Sequence, residues 1–483
     1  MVLQRDADDP VWGWTTPGTR VTVVVRNESS RSLQTKAAVA GPDGRWEVIV
    51  GPFAQVPGNR AYSLVITADH QPAITLTDVL MGDVWLCSGQ SNMARSLAPH
   101  YGIPDVLNQD AEIADTRNFP RIRQYYVANL AATVSQIIPT DIVSDETGKS
   151  GPWLVNNPAA ASAPSRYSAV AYFFARELTQ KLGVPIGIIQ MSWGGTPIQA
   201  WIDPATLAAD PDYAPAVAKL PESHPGRDYP GAIYNGKVAA ITSFRMKGVI
   251  WYQGENNAKS PQSYGALLPL LLKSWRSHFG EPHWPFIIIQ LPNYADDNWP
   301  VIREAQRETV AQDTNSRLIV TIDLGDANQV HPADKQDVAH RAALAALNFV
   351  YDQNLVASGP VITHAILRGE TVCCSFAQVG AGLMVGQREV PPRQPLRPTV
   401  EVPGGILTGF ELAGPDGRYF PAQAKITGQA TVQVSCPGVK APVAVRYAWA
   451  GAPVCNLYNQ IRNRAGKIMD GLPASPFRLQ RLD

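Results

Sequence analysis

Between residues 83 and 355, short apolar runs alternate with longer segments of helical period. This rhythm constrains the fold more than any other feature of the chain. DVWLCSG (83–89), PIGIIQMSWGG (185–195), KGVIWYQGENN (247–257), PFIIIQLPNY (285–294) and RLIVTIDLGD (317–326) read as strands. SAVAYFFARELTQKLG (168–183), GKVAAITSF (236–244), SYGALLPLLLKSWRSHFG (263–280), VIREAQRETVAQ (301–312) and DKQDVAHRAALAALNFVYD (334–352) read as helices. Near-continuous apolar strands alternating with helices indicate βαβ units and a parallel sheet covered on both faces. Five such strands fit a flavodoxin-like, doubly wound sheet. Gly183 is a stop for the first long helix, and Asp334 is placed to cap the last. The stretch 94–167 is rich in Pro, Asn and Ser, shows little period, and reads as a long decorated loop region.

The chain on either side has a different texture. Residues 1–80 contain β-branched runs such as TRVTVVV and RWEVIV, with an Asp-Gly hairpin-type turn in GPDGRW (41–46). Residues 356–483 return to short strands, with a second GPDGR at 414–418. The expected organisation is an α/β catalytic unit, 81–355, between N- and C-terminal β-sandwich-like modules.

Composition narrows the partners. Lys+Arg and Asp+Glu are both 41, so the chain carries no basic footprint for nucleic acid. No apolar run approaches the roughly 18–20 residues of a membrane span. The five cysteines form no C-x-x-C pattern, and H-E-x-x-H is absent, so neither a metal nor another cofactor is expected. Cys87 falls on the first core strand as a buried thiol. Any disulfide is to be sought among Cys373, Cys374, Cys436 and Cys455. No charged-then-apolar signal segment opens the sequence; a trimmed form of a secreted or periplasmic protein is expected.

In an open parallel sheet, ligands bind beyond the carboxyl ends of the strands. The residues that follow the five strands are Ser88–Met93, Ser192–Thr196, Gln253–Asn257, Gln290–Asn293, and Asp323–Asp326 followed by His331. Hydroxyl, amide, carboxyl and imidazole groups thus gather at one end. Ser91 and His331 can form a nucleophile–base pair. Gly194 and Gly195 offer unobstructed backbone N–H groups, and Gln253 or Asn256 an amide, to an oxyanion. A serine in a glycine turn is also ordinary turn chemistry. The G-x-S-x-G elbow is absent, since Met93 stands where its second glycine would be.

GQSNM (89–93), SWGGTPIQAW (192–201), KGVIWYQGENNA (247–258) and DLGDANQVHPADKQDVAHRAALAAL (323–347), in this order, resemble the sialate O-acetylesterase family, a branch of the SGNH hydrolases. The resemblance runs along nearly the whole chain. It implies an SGNH hydrolase core and hydrolysis of acetyl esters on sugars by a serine-histidine acyl-enzyme route. Ser91 matches the nucleophile, which also offers its own N–H to the oxyanion. His331 matches the base, Gly194 or Gly195 an oxyanion donor, and the Gln253–Asn257 segment the remaining donor.

Two positions depart from the family. Where relatives carry an acid two or three residues before the histidine, this chain has Gln329 and Asn328. Asp326 from the same loop, a Ser–His dyad, or Glu255 nearby are the alternatives. Gln199 stands where relatives commonly carry Glu. Gln90, Glu255, Trp193, Gln199 and Arg95 are candidate substrate contacts, and Arg95 and Arg166 are candidate partners for a sialate carboxylate. The expected partner is an acetylated carbohydrate, with a lean toward xylan or xyloglucan over sialate. A catalytically weak glycan-binding protein is the reading from another class.

Overall fold

The structure is a computed structural model that describes residues 1–54, 61–99, 105–139, 150–163, 167–219 and 225–482. Its central sheet runs in the order Ser316–Ile319, Phe286–Ile289, Gly248–Tyr252, Ile74–Gly89, Ile186–Ser192 and Ile122–Tyr126, all pairing in parallel. Leu154–Val155 adds an antiparallel edge. The chain winds outward in both directions from Ile74–Gly89, which places a crevice beyond that strand's carboxyl end.

Side-chain alternation along each strand feeds two apolar layers. Val84 and Leu86 join Val249, Trp251, Phe286 and Ile288 on one face, against Leu267, Leu271 and Trp275 of helix Tyr264–His278 and Ile302 of helix Trp299–Gln312. Trp85 and Cys87 join Ile250, Tyr252, Ile287 and Ile289 on the other. There they meet Phe174 and Leu178 of helix Ala169–Leu182 and Val338 and Ala342 of helix Lys335–Phe349. The helix ends follow their local signals. Ser168 Oγ accepts the Ala171 N–H, Gly183 ends its helix at φ 69°, and Asp334 accepts the Asp337 N–H.

Three expectations change. The sheet is larger than five strands, because Ile122–Tyr126 joins it from inside the stretch read as a loop, and mixed, because Leu154–Val155 pairs antiparallel. That strand reads IRQYY and is buried despite its polarity: Gln124 Nε2 donates to Gln190 Oε1 at 2.6 Å, and Arg123 pairs with Asp78 at 2.9 Å. The sixteen-residue strand Ile74–Gly89 also runs straight through residue 80. Its first part pairs antiparallel with Tyr62–Ala68, and its second joins the parallel sheet. GKVAAITSF is not a regular helix but a π turn, Tyr234–Val238, followed by a 3₁₀ turn, Ala239–Ile241.

The flanks are β structures with their own apolar clusters, one around Val21, Val23, Val25, Trp46 and Val48, the other around Val372, Cys374, Val432, Leu412, Val445 and Phe477. The carboxyl-terminal module is bolted to the core by buried arginines. Arg303 donates to the carbonyls of Ala450 and Gly451 at 2.8 and 2.6 Å, and Arg388 meets Asp337 at 2.6 Å. All five cysteines are free thiols, and burial raises the Cys87 thiol pKa far above its usual range. Among the described residues no helix is long and apolar enough to cross a membrane.

Candidate active site

The central strand ends at Gly89, where a Cβ would fall 2.0 Å from the Tyr252 carbonyl oxygen. Only glycine lets the two strands approach this closely at φ 136°. The chain then turns into a single helical turn, Ser91–Ala94, with Ser91 half-exposed at its start. Met93 and Ala94 donate their N–H groups to the Gln90 carbonyl at 3.0 and 2.9 Å, which leaves the start of the turn, at Ser91, to meet other acceptors.

His331 arrives from the loop before the last helix. Its Nε2 lies 2.9 Å from Ser91 Oγ. Gly194 comes from the loop after Ile186–Ser192, and a Cβ there would stand 3.4 Å from the Ser91 Cβ. Ser91, His331 and Gly194 therefore share one small space. Gly195 sits beside it at φ 70°, its carbonyl accepting from Asn256 Nδ2.

The two amides left open by the sequence separate. Gln253 is sealed from solvent, and its Nε2 donates to Asn257 Oδ1 at 2.7 Å, Thr196 O at 3.2 Å and Gln90 Oε1 at 3.3 Å. It holds the site from below and has no free proton for an oxyanion. Asn256 keeps exposed surface. Only one of its two amide protons is needed by Gly195.

The residue at His331 Nδ1 is unexpected. Asp326 Oδ1 accepts the Asn328 N–H at 2.8 Å and closes the turn to Gln329, so this carboxylate braces the loop and does not meet the imidazole. Arg95 Nη2 stands 2.9 Å from Nδ1, while Arg95 Nε pairs with Asp105 at 3.1 Å. Glu255 is not at the imidazole either: its Oε1 accepts from Asn92 Nδ2 at 2.7 Å. The residue keeps some exposed surface, but Oε2 is enclosed and unpartnered, and burial pushes the carboxyl pKa up to about 7.

The other candidate substrate contacts are held by neighbouring residues. Gln90 is buried, its Oε1 accepting the Asn256 N–H at 3.2 Å. Gln199 Oε1 accepts from Asn257 Nδ2 at 3.1 Å. Trp193 is half-buried over the Lys237 ammonium, whose Nζ also donates to Ser192 O at 3.1 Å. Trp201, Trp251 and Trp299 are core. Arg166 lies outside the described residues.

Sequence reasoning missed two groups. Lys335 is fully buried and donates to Asn92 Oδ1 at 2.7 Å, and burial lowers its ammonium pKa to about 8. A lysine in the first turn of a helix reads as solvated, so only the buried neighbour reveals it. Asn92 was visible as the residue after Ser91, but not as the link between Lys335 and Glu255. Among the described residues, no group of three or more His, Cys, Asp or Glu gathers as a metal site.

This geometry has relatives. Residues 139–347 match the family model for carbohydrate esterases, sialic acid-specific acetylesterases. Human sialate O-acetylesterase is 31% identical, covering 75% of this chain and 71% of its own length. The rat sialate O-acetylesterase is 30% identical over 99% of this chain and 92% of its own. The chain belongs to the sialate O-acetylesterase family. As a member it is a carboxylic-ester hydrolase, an acetylesterase acting on carbohydrate. The crystal structure of a carbohydrate acetylesterase from Xanthomonas citri superposes with a TM-score of 0.80 at 33% identity, covering 99% of this chain and 97% of that one. The lean toward xylan or xyloglucan finds no support in these relatives, the human and rat proteins being named for sialate.

Proposed function

We propose that this esterase removes acetyl groups from O-acetylated sialic acids through a Ser91 acyl-enzyme on an SGNH-type core. The observation that carries the reading is the 2.9 Å approach of His331 Nε2 to Ser91 Oγ beside Gly194. A hydroxyl within hydrogen-bond reach of an imidazole can be deprotonated as it attacks. Ser91 Oγ adds to the acetyl carbonyl carbon as His331 takes its proton. The oxyanion is met by the N–H groups of Ser91 and Gly194 and the spare Asn256 amide proton. Collapse breaks the ester bond, and the sugar oxygen leaves with the proton from His331. Water then repeats the sequence on the acyl-enzyme and releases acetate.

Arg95 gives this site its dependence on the sugar. An arginine only donates, so beside Nδ1 it requires a lone pair there and leaves the proton of a neutral imidazole on Nε2. To take the serine proton at Nε2, His331 must first carry its own proton on Nδ1, so Arg95 must withdraw before the attack. The carboxylate of a sialic acid is the group that a released guanidinium would engage in a bidentate pair. The Ser–His pair works as a dyad in this reading, with substrate charge drawing Arg95 away.

Acetate release from O-acetylated sialic acid, acetylated xylan, acetylated xyloglucan and 4-nitrophenyl acetate, with wild type and Ser91→Ala, tests the assignment. Sialate turnover that Ser91→Ala abolishes supports it. Release from xylan alone would reverse the substrate choice, and full activity in Ser91→Ala would remove the nucleophile. Arg95→Met should cut sialate turnover at least tenfold more than 4-nitrophenyl acetate turnover.

A further inference from the structure

Directly beneath Ser91 a buried chain of polar groups crosses the site. Lys335 Nζ donates to Asn92 Oδ1 at 2.7 Å, and Asn92 Nδ2 donates both to Glu255 Oε1 at 2.7 Å and to the Val330 carbonyl at 3.0 Å. Three pieces of the site meet at this one amide: the helical turn of Ser91, the loop residue before His331, and the turn that also carries Asn256.

We propose that Lys335 and Glu255 are positioning residues, which lock the Asn92 amide in one orientation and thereby set the distance between Ser91 and His331. An ammonium can only donate and an ionised carboxylate can only accept. Lys335 therefore fixes the oxygen of Asn92 on its own side, and Glu255 and the Val330 carbonyl fix its nitrogen on the other. Neither charge touches the reacting atoms. Asn92 is joined covalently to Ser91, and Val330 to His331, so a rotation of the amide moves both members of the pair. Misplacement by about 1 Å can cost roughly a hundredfold in rate. The inference rests on the Ser91–His331 reading given above.

The strut depends on the charge of its acidic end. Lys335 is faced by Asp105, Arg95, Glu255 and Asp334, and Glu255 by Asn92, Lys335, Tyr252 and Tyr264. Burial raises the Glu255 carboxyl to about 7 against the opposing pull of Asn92 and Lys335. Protonation near neutrality removes the charge from the Asn92 hydrogen bond, and charge-assisted bonds are the strong ones. As pH is lowered, the Glu255 proton then adds to the one that any general base takes up, and activity falls by both.

The test is the pH profile of kcat/KM for 4-nitrophenyl acetate in wild type, Glu255→Gln and Lys335→Met, with melting temperatures for all three. The wild-type acid limb should be steeper than one proton. In Glu255→Gln, an isosteric change, kcat should fall about tenfold to a hundredfold at nearly unchanged KM, and the limb should relax to one proton. Lys335→Met removes a cation that favours the carboxylate, so its limb should shift to higher pH. The double variant should lose little more than the worse single one, because both act through one amide. If Lys335→Met does not fold, Glu255→Gln carries the test alone. A Glu255→Gln enzyme with wild-type kcat, or a one-proton limb that is the same in both enzymes, would overturn the proposal. Ser91→Ala with retained activity would instead refute the underlying reading, so the two failures are distinguishable.

Discussion

At the rim of the cleft Ser91, Gly194, Asn256 and His331 each keep part of their surface exposed, whereas one layer below Gln90, Asn92, Gln253, Asn257 and Lys335 are sealed. Both layers are built from small and amide side chains, and Gln253 and Asn256 stand only three residues apart. What separates them is satisfaction. The lower layer spends its amide protons inside the protein at Gln253, on Gln90, Thr196 and Asn257, and at Asn92, on Glu255 and the Val330 carbonyl. A rim group keeps at least one donor or lone pair for a ligand. An unpaired polar group is costly only where water cannot reach it. Reacting groups can therefore be left unsatisfied at the rim, while the layer beneath turns its donors inward.

The comparison can be broken from either side. His331→Ala should lower kcat by up to about 10⁴-fold, as loss of a general base does, with little change in melting temperature because the residue is half-buried at the rim. Acetate release and a thermal melt of the same sample check both parts. Asn256→Ala should lower kcat by about 10²-fold if its spare proton meets the oxyanion, again at nearly constant stability. Gln253→Leu should do the reverse of a rim change. It takes the Gln253 donor from the buried Thr196 carbonyl and one bond each from Asn257 Oδ1 and Gln90 Oε1, and should cost about 1–3 kcal/mol in a denaturant titration. A Gln253→Leu enzyme of unchanged stability would dissolve the distinction between the layers. The smallest effect belongs to Asp326→Asn, which should alter turnover less than twofold, because among the described residues its carboxylate serves only the Asn328 N–H. A large loss of kcat there would restore Asp326 as the histidine's acid.

The layer that was legible in the sequence is the one governed by periodicity and local caps. The five apolar strands, the Gly183 stop and the Asp334 cap all rest on signals within a few residues, and the structure has them. The strand Ile122–Tyr126 was not legible, because IRQYY fits a buried strand only when Gln190 and Asp78 are there to pair with it. The two GPDGR segments show the same limit. At 414–418 the turn joins Phe410–Ala413 to Tyr419–Pro421, which pair as a hairpin. At 41–45 the turn also closes, Gly41 N–H donating to Arg45 O at 2.8 Å. Yet Ser32–Val39 pairs with Arg20–Arg26, and Arg45–Val50 with Asp9–Trp14. A turn motif specifies a reversal of the chain, while the strands' partners are chosen by burial.

The site divides in the same way. The positions of Ser91 and His331 follow from strand ends and from the motifs around them. The roles of Gln253, Arg95 and Lys335 each depend on contacts between segments more than a hundred residues apart, and no local pattern encodes them. Glycines tell a related story, since Gly89 is required by a carbonyl on a neighbouring strand and not by its own turn.

The central claim is that Ser91 forms the covalent bond to the acyl group. Rapid quenching of the enzyme during turnover of 4-nitrophenyl acetate, followed by peptide mass mapping, tests it most directly. The account predicts one acetyl group on the peptide containing Ser91, absent from Ser91→Ala and accumulating in a variant slowed in deacylation. An acetyl group trapped on another residue, or the same labelling in Ser91→Ala, would contradict it.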